Sequence, residues 1–225
     1  AEALDASIVV LGIVDDARPP DRLREKLKAE FEADGTEIRV RSGQPAEQVR
    51  NEQAESFYDL VVVGGKGGQA VRSAPVRRLL RESSTPLLFG LPRESLRRVL
   101  ICTAVGEPGK ADVRVGGWLA GRLGAKVTLL HISRDPSEPP RFIRAHLDRG
   151  VATLSSFDVD AEARVRMAPS PLEGILMEAR EGDYDLVVVG GHGPRARSIR
   201  ARDDITLQIL DTLNRPVLVV PEESG

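Results

Sequence analysis

One octapeptide, Tyr-Asp-Leu-Val-Val-Val-Gly-Gly, stands at residues 58–65 and again, letter for letter, at residues 184–191. Its Leu-Val-Val-Val core is apolar at every position, as in a strand covered on both faces, and the glycines after it let the chain turn sharply. The two copies lie 126 residues apart. That is the length of a compact domain and several times a solenoid period, so the repeat speaks for duplication of a whole domain.

The later half predicts strands at 98–104, 126–133, 161–167, 185–190 and 216–220, alternating with helices at 110–123, 139–156, 171–181 and 204–213. Gly124 reads as a glycine cap on the first of these helices, and Pro171 as a first-turn proline. Continuously apolar strands alternating with amphipathic helices predict a doubly wound α/β sheet with parallel strands. The earlier half enters the same plan late, with strands at 7–14, 36–41, 59–64 and 86–91 and helices at 21–33, 45–56 and 74–83. Residues 4–7 align with 123–126, so nothing matches the opening strand and helix of 98–122. In a five-stranded sheet ordered 3-2-1-4-5 that strand is central, and without it the flanking strands keep unpaired backbone groups. The expectation is that sequence ahead of Ala1 supplies the strand or that another segment takes its place. Residues 92–96 then link a first domain, 1–91, to a second, 97–225, and are too few to hold the two far apart.

Composition narrows the partners. The chain has 225 residues, 41% hydrophobic and 29% charged, and a net charge of −2, so no overall field favours nucleic acid or an anionic membrane. Cys102 is the only cysteine, which excludes an intrachain disulfide and a cysteine-rich metal site. No apolar run approaches membrane-spanning length and no signal-peptide pattern opens the sequence, which makes the cytoplasm the expected location. The closing strands, "PLLFG" and "PVLVV", are apolar sheet edges. Such edges find partners, so a homodimer, an intrachain pseudo-dimer or a protein partner is expected.

Each copy of the octapeptide runs into a glycine loop, Gly64-x-x-Gly67 and Gly190-x-x-Gly193. Glycines let backbone amides approach an anion, and in open α/β sheets the ligand crevice lies at the strands' carboxyl ends. Arg195, Arg197, Arg200 and Arg202 form a local basic cluster, either an anion patch or a solvated loop. His131 reads as a packed strand histidine and His192 as a solvated loop residue. The sequence holds no nucleophile elbow, no metal-ligand pair at helical spacing and no P-loop lysine, so a non-enzymatic role is expected.

The run from "RRVLI" through "LAGRLGAKVTLLHI" and "YDLVVVGGHG" to "RPVLVV" resembles the universal stress protein family. The resemblance covers nearly the whole chain as two tandem domains, the first lacking its opening strand and helix. It implies two doubly wound five-stranded parallel sheets of order 3-2-1-4-5, the adenine-nucleotide alpha-hydrolase-like fold. ATP-binding members of that family share G-x2-G-x9-G-(S/T) and an aspartate ending the first strand. In the second half Gly190 and Gly193 match, but Asp203 and Asp204 stand at the Gly-(S/T) position and Ala104 at the aspartate. In the first half Gly64 and Gly67 match, while Ser73 and Ala74 occupy the later position in a loop four residues shorter. The resemblance thus implies a stress-response regulatory module whose second domain binds nucleotide weakly or not at all. The alternative is a working switch that holds ATP or another adenine nucleotide on the glycine loops, with the arginines compensating.

Overall fold

In a computed structural model the chain is described at residues 4–15, 19–31, 36–64, 73–90, 96–104, 111–134, 140–191 and 205–221. The first half contains β1 (Ile8–Val14), α1 (Pro20–Glu30), β2 (Thr36–Ser42), α2 (Pro45–Glu55), β3 (Val61–Val63), α3 (Ala74–Glu82) and β4 (Leu87–Phe89). The second contains β5 (Arg98–Thr103), α4 (Ala111–Leu123), β6 (Lys126–Ser133), α5 (Pro140–Ser155), β7 (Ala161–Met167), α6 (Pro171–Glu181), β8 (Leu186–Gly190), α7 (Ile205–Thr212) and β9 (Val217–Val220). Local chemistry sets several boundaries. Gly124 ends α4 in the left-handed conformation at φ 61°, and the N–H of Ala125 reaches back to the Ala120 carbonyl. Ser170 opens α6 by accepting the Glu173 N–H at 3.2 Å, with Pro171 in the first turn. No helix of the described residues is long and apolar enough to cross a membrane.

The second half forms the sequence β7-β6-β5-β8-β9, all neighbours parallel, which is the 3-2-1-4-5 order. The sheet does not stop there. β9 pairs antiparallel with β4, Leu218 opposite Leu88, and β4 pairs parallel with β3. The result is one seven-stranded sheet, with β1 and β2 as a separate parallel pair. Among the described residues the strands therefore do not form two five-stranded sheets, for two reasons. The two closing strands join edge to edge, and β1 and β3, which would flank a central strand, lie in different sheets.

Side chains alternate across the large sheet. On one face Leu100, Leu130, Val187 and Val219 pack with Ile175 and Ala179 of α6, Ile209 and Leu210 of α7 and Leu79 of α3. On the other, Val99, Ile101, Leu129 and Val188 pack with Leu119 and Ala120 of α4 and Leu147 and Leu154 of α5. Each fully buried Leu, Ile or Val contributes about 1.5–3 kcal/mol relative to exposure. Most of these residues lie in the second half. By contrast α1 has no buried residue, and Val62 is 53% exposed although its repeat partner Val188 is 0% exposed.

Candidate functional site

The crevice at the carboxyl ends of β5, β6 and β8 is built from the octapeptide's own glycines. Gly191 donates its N–H to the Val220 carbonyl at 2.6 Å. A Cβ there would sit 2.8 Å from Val219 Cγ1 and 3.3 Å from the Val220 oxygen, so glycine is needed for β8 to close on β9. Gly190 differs. Among the described residues the nearest atom to a Cβ at Gly190 would be Asp112 Oδ2, 3.9 Å away, which leaves its backbone open toward the carboxyl ends of the strands. Thr206, in the first turn of α7, donates its hydroxyl to the Gly190 carbonyl at 3.3 Å. The first glycine thus faces the crevice while the second serves packing.

Buried polar groups line the same end of the sheet. His131 Nδ1 donates to the Thr103 carbonyl at 3.4 Å, and the Thr103 hydroxyl lies 3.2 Å from His146 Nε2. The two imidazoles meet edge to face, with ring centroids 6.3 Å apart. His131 is packed within its strand, as its sequence position implies. Asp112 is buried near the start of α4, and its Oδ1 accepts the Val113 N–H at 2.9 Å. Burial first, and then the charges of Asp112 and Glu178, push the Cys102 thiol far above its ordinary range. Cys102 therefore stays protonated and unreactive.

Of the sequence-predicted site residues, Gly190 and Ala104 sit at the ends of β8 and β5 in this crevice. Ala104 presents no carboxylate. Gly64, the seventh residue of the first copy of the octapeptide, has nothing within 4 Å of a Cβ among the described residues, and Ser73 is the N-cap residue of α3 with Pro75 in its first turn. Gly67, Gly193, His192, Asp203, Asp204 and the arginines Arg195, Arg197, Arg200 and Arg202 lie outside the described residues. No group of three or more metal-ligating side chains occurs among the described residues. Two residues of the crevice escape a motif search. Thr206 stands two positions past the expected hydroxyl, and Asp112 looks like an ordinary acidic residue in a helix's first turn.

The opening Tyr-Asp of the octapeptide has its own chemistry. In the second half Glu178 of α6 is buried, and its carboxylate accepts the Tyr184 hydroxyl at 2.9 Å, Arg164 Nη1 at 2.6 Å and Arg166 Nε at 2.9 Å. In the first half Glu52 of α2 does the same with Tyr58 at 2.6 Å, Arg41 Nη2 at 2.6 Å and Arg39. Burial would raise both glutamates, but the phenol and the paired guanidiniums outweigh it and hold both below the ordinary carboxylate value. Asp185 then caps the central strand: its Oδ2 accepts the N–H groups of Arg97 and Arg98 at 2.9 and 3.0 Å.

With this geometry in view, comparison with solved structures places the fold. A universal stress protein from Archaeoglobus fulgidus DSM 4304 superposes with a TM-score of 0.76 at 16% identity, over 99% of this chain and 90% of that one. A functionally unknown protein from Pseudomonas aeruginosa PAO1 gives 0.68 at 14% identity, over 96% and 83%. A universal stress protein from Archaeoglobus fulgidus in complex with dAMP gives 0.44 at 19% identity, over 57% of this chain and 99% of that one. No curated protein matches the chain. The model of the universal stress protein family matches residues 95–221, more than half of the sequence and the whole of the 3-2-1-4-5 unit. The chain belongs to the universal stress protein family.

Proposed function

We propose that the chain is a tandem universal stress protein, with domains at 1–91 and 97–225 joined by 92–96. It acts as a stress-response regulatory module rather than as an enzyme, with adenine-nucleotide binding weakened or lost in the second domain. One observation carries this reading. The crevice has Ala104 where an adenosine-binding carboxylate is expected, and the carboxylate it does have, Asp112, faces Gly190, where phosphate would approach. Among the described residues the site thus offers no carboxylate to the base-ribose end and sets one against the anionic end. The pairing of β4 with β9 supports reading the two halves as an intrachain pseudo-dimer. β4 and β9 each have a neighbour on both sides, so a homodimer of whole chains would use another surface.

Calorimetry with ATP, ADP and AMP, with and without magnesium, tests the proposal. The expected result is no binding heat at micromolar nucleotide. Ala104→Asp is expected to restore affinity by about tenfold, the order of one added charge-assisted hydrogen bond. The Thr206 hydroxyl and the open backbone of Gly190 favour the second reading, a working nucleotide switch. Micromolar binding by the unaltered chain would establish that reading in place of the first.

A further inference from the structure

β2 has β1 on one side and, among the described residues, no strand on the other. Since β1 occupies the inner side, any strand added next to β1 leaves this outer edge as it is. The Gly43 N–H donates to the Val14 carbonyl at 2.9 Å, so by alternation Glu37, Arg39 and Arg41 turn their backbone groups to β1, and Thr36, Ile38, Val40 and Ser42 turn theirs outward. The side chains alternate as well. Glu37, Arg39 and Arg41 share the face covered by α2, where Arg39 Nε donates to Glu37 at 2.7 Å and its Nη1 to Glu52, while Arg41 donates to Glu52 at 2.6 Å and to Glu55 at 3.0 Å. Ile38 and Val40 stand on the other face, level with Val10 and Gly12, half-buried and outside both apolar cores. Reversed about Arg39, the strand Thr-Glu-Ile-Arg-Val-Arg-Ser matches itself: Glu37 meets Arg41, Ile38 meets Val40 and Thr36 meets Ser42.

We propose that β2 pairs antiparallel with β2 of a second copy of the chain, about a two-fold axis that passes between the two Arg39 residues. Ile38 with Val40, and Thr36 with Ser42, are then the pairs that exchange backbone hydrogen bonds, which occupies the outward row of donors and acceptors. Glu37 of each copy faces Arg41 of the other as a cross-strand ion pair. The two Arg39 guanidiniums meet at the axis, where each copy brings the carboxylates of Glu37, Glu52 and Glu55 against the guanidiniums of Arg39 and Arg41, so positive charge is not in excess. The charge, hydroxyl and apolar complements of this edge are its own reverse, which selects a second copy in an isologous interface. β7 repeats the pattern as Glu162, Arg164 and Arg166, but its reversal sets Ala163 against Val165 and Ala161 against Met167. β2 instead pairs two β-branched residues and two hydroxyls, which contribute more across strands than pairs with alanine, so β2 is the self-pairing edge. The inference does not depend on nucleotide binding.

Sedimentation and residue-resolved hydrogen exchange of the full chain are the test. Sedimentation is expected to pass from monomer to dimer as concentration rises. Over the same range exchange is expected to slow about tenfold at the outward amides of Ile38 and Val40, with no change at Arg39 and Arg41, which are already bonded to β1. Glu37→Arg sets arginine opposite Arg41 of the second copy and is expected to weaken the dimer about tenfold. Val40→Pro is expected to abolish it, because proline there removes an outward donor and none of the donors to β1; protection at Arg39 reports that the variant folds. Three results would overturn the proposal. One is a monomer at millimolar chain in which the Arg39 and Arg41 amides are protected. Another is a dimer in which Ile38 and Val40 exchange as in the monomer, or which Glu37→Arg leaves intact, since another surface then joins the copies. The third is slowing at Ile38 and Val40 together with Ala163 and Val165 in assemblies larger than a dimer, since β2 of one copy then pairs with β7 of the next.

Discussion

A carboxylate buried as fully as Glu178 keeps its charge only where donors surround it, and three side chains supply them. The tyrosine contributes most selectively, because Arg164 and Arg166 are also engaged by Glu162 and Glu181 and can turn to water. Tyr184→Phe removes one hydrogen bond to a buried charge and is expected to cost about 1.5–3 kcal/mol in denaturant titrations. Tyr58 is only partly buried, so Tyr58→Phe is expected to cost less than its counterpart. Acidity tests the same pair of glutamates. Their folded pKa values lie below the ordinary 4.5, so their contribution is fully present above pH 4.5. It is lost as the pH falls through that value and then through the lower folded one. The melting temperature is expected to fall with acidity in this window, and the double variant Glu52→Gln, Glu178→Gln to show a shallower fall.

At the level of elements, β3 and β8 set identical sequence against different burial. Val188→Ala is expected to cost about 2 kcal/mol, since it vacates a fully buried site beneath α4. Val62→Ala, on an open edge, is expected to stay within about 0.5 kcal/mol. Parallel thermal melts of the two variants check the contrast, and equal losses would show that β3 is covered as β8 is. The same contrast explains what the sequence could and could not say. Strands and helices were legible to within about two residues at most ends, because apolar periodicity, Gly124, Ser170 and Pro171 are local signals. β3 spans three residues where a longer strand was expected, since among the described residues it has a neighbour on one side alone. The fusion of β4 to β9 was legible only as two apolar edges; their pairing joins residues more than a hundred positions apart. The glutamate clusters were invisible because each joins a helix glutamate to two arginines of a strand and the octapeptide's tyrosine. At the site, Ala104 and Gly190 could be read from motif spacing, whereas Thr206 and Asp112 reach the crevice through the packing of α7 and α4.

In the whole molecule the halves are unequal partners. The second covers both faces of β5, β6, β8 and β9 with α4, α5, α6 and α7, and most fully buried side chains belong to it. The first leans on it: Leu87, Leu88 and Phe89 are buried on a strand of three residues whose inner neighbour is β9. Residues 96–221 alone are therefore expected to keep native circular dichroism and a cooperative melt, and residues 1–90 alone to show neither. Removing the first half also bares the β9 edge, with the apolar run Val217-Leu218-Val219-Val220. A bare apolar edge pairs with whatever strand it meets, and two copies of one fragment can satisfy both edges by a two-fold axis. The β4–β9 ladder is already antiparallel and centred on Leu88 opposite Leu218, so a second β9 can take β4's place with Leu218 near the axis. The 96–221 fragment is thus expected to sediment as a dimer, and Leu218→Lys, which sets two like charges near that axis, to return it to a monomer. A fragment that stays monomeric at high concentration would show that β9 needs no partner and that the joining of the halves serves something other than edge protection.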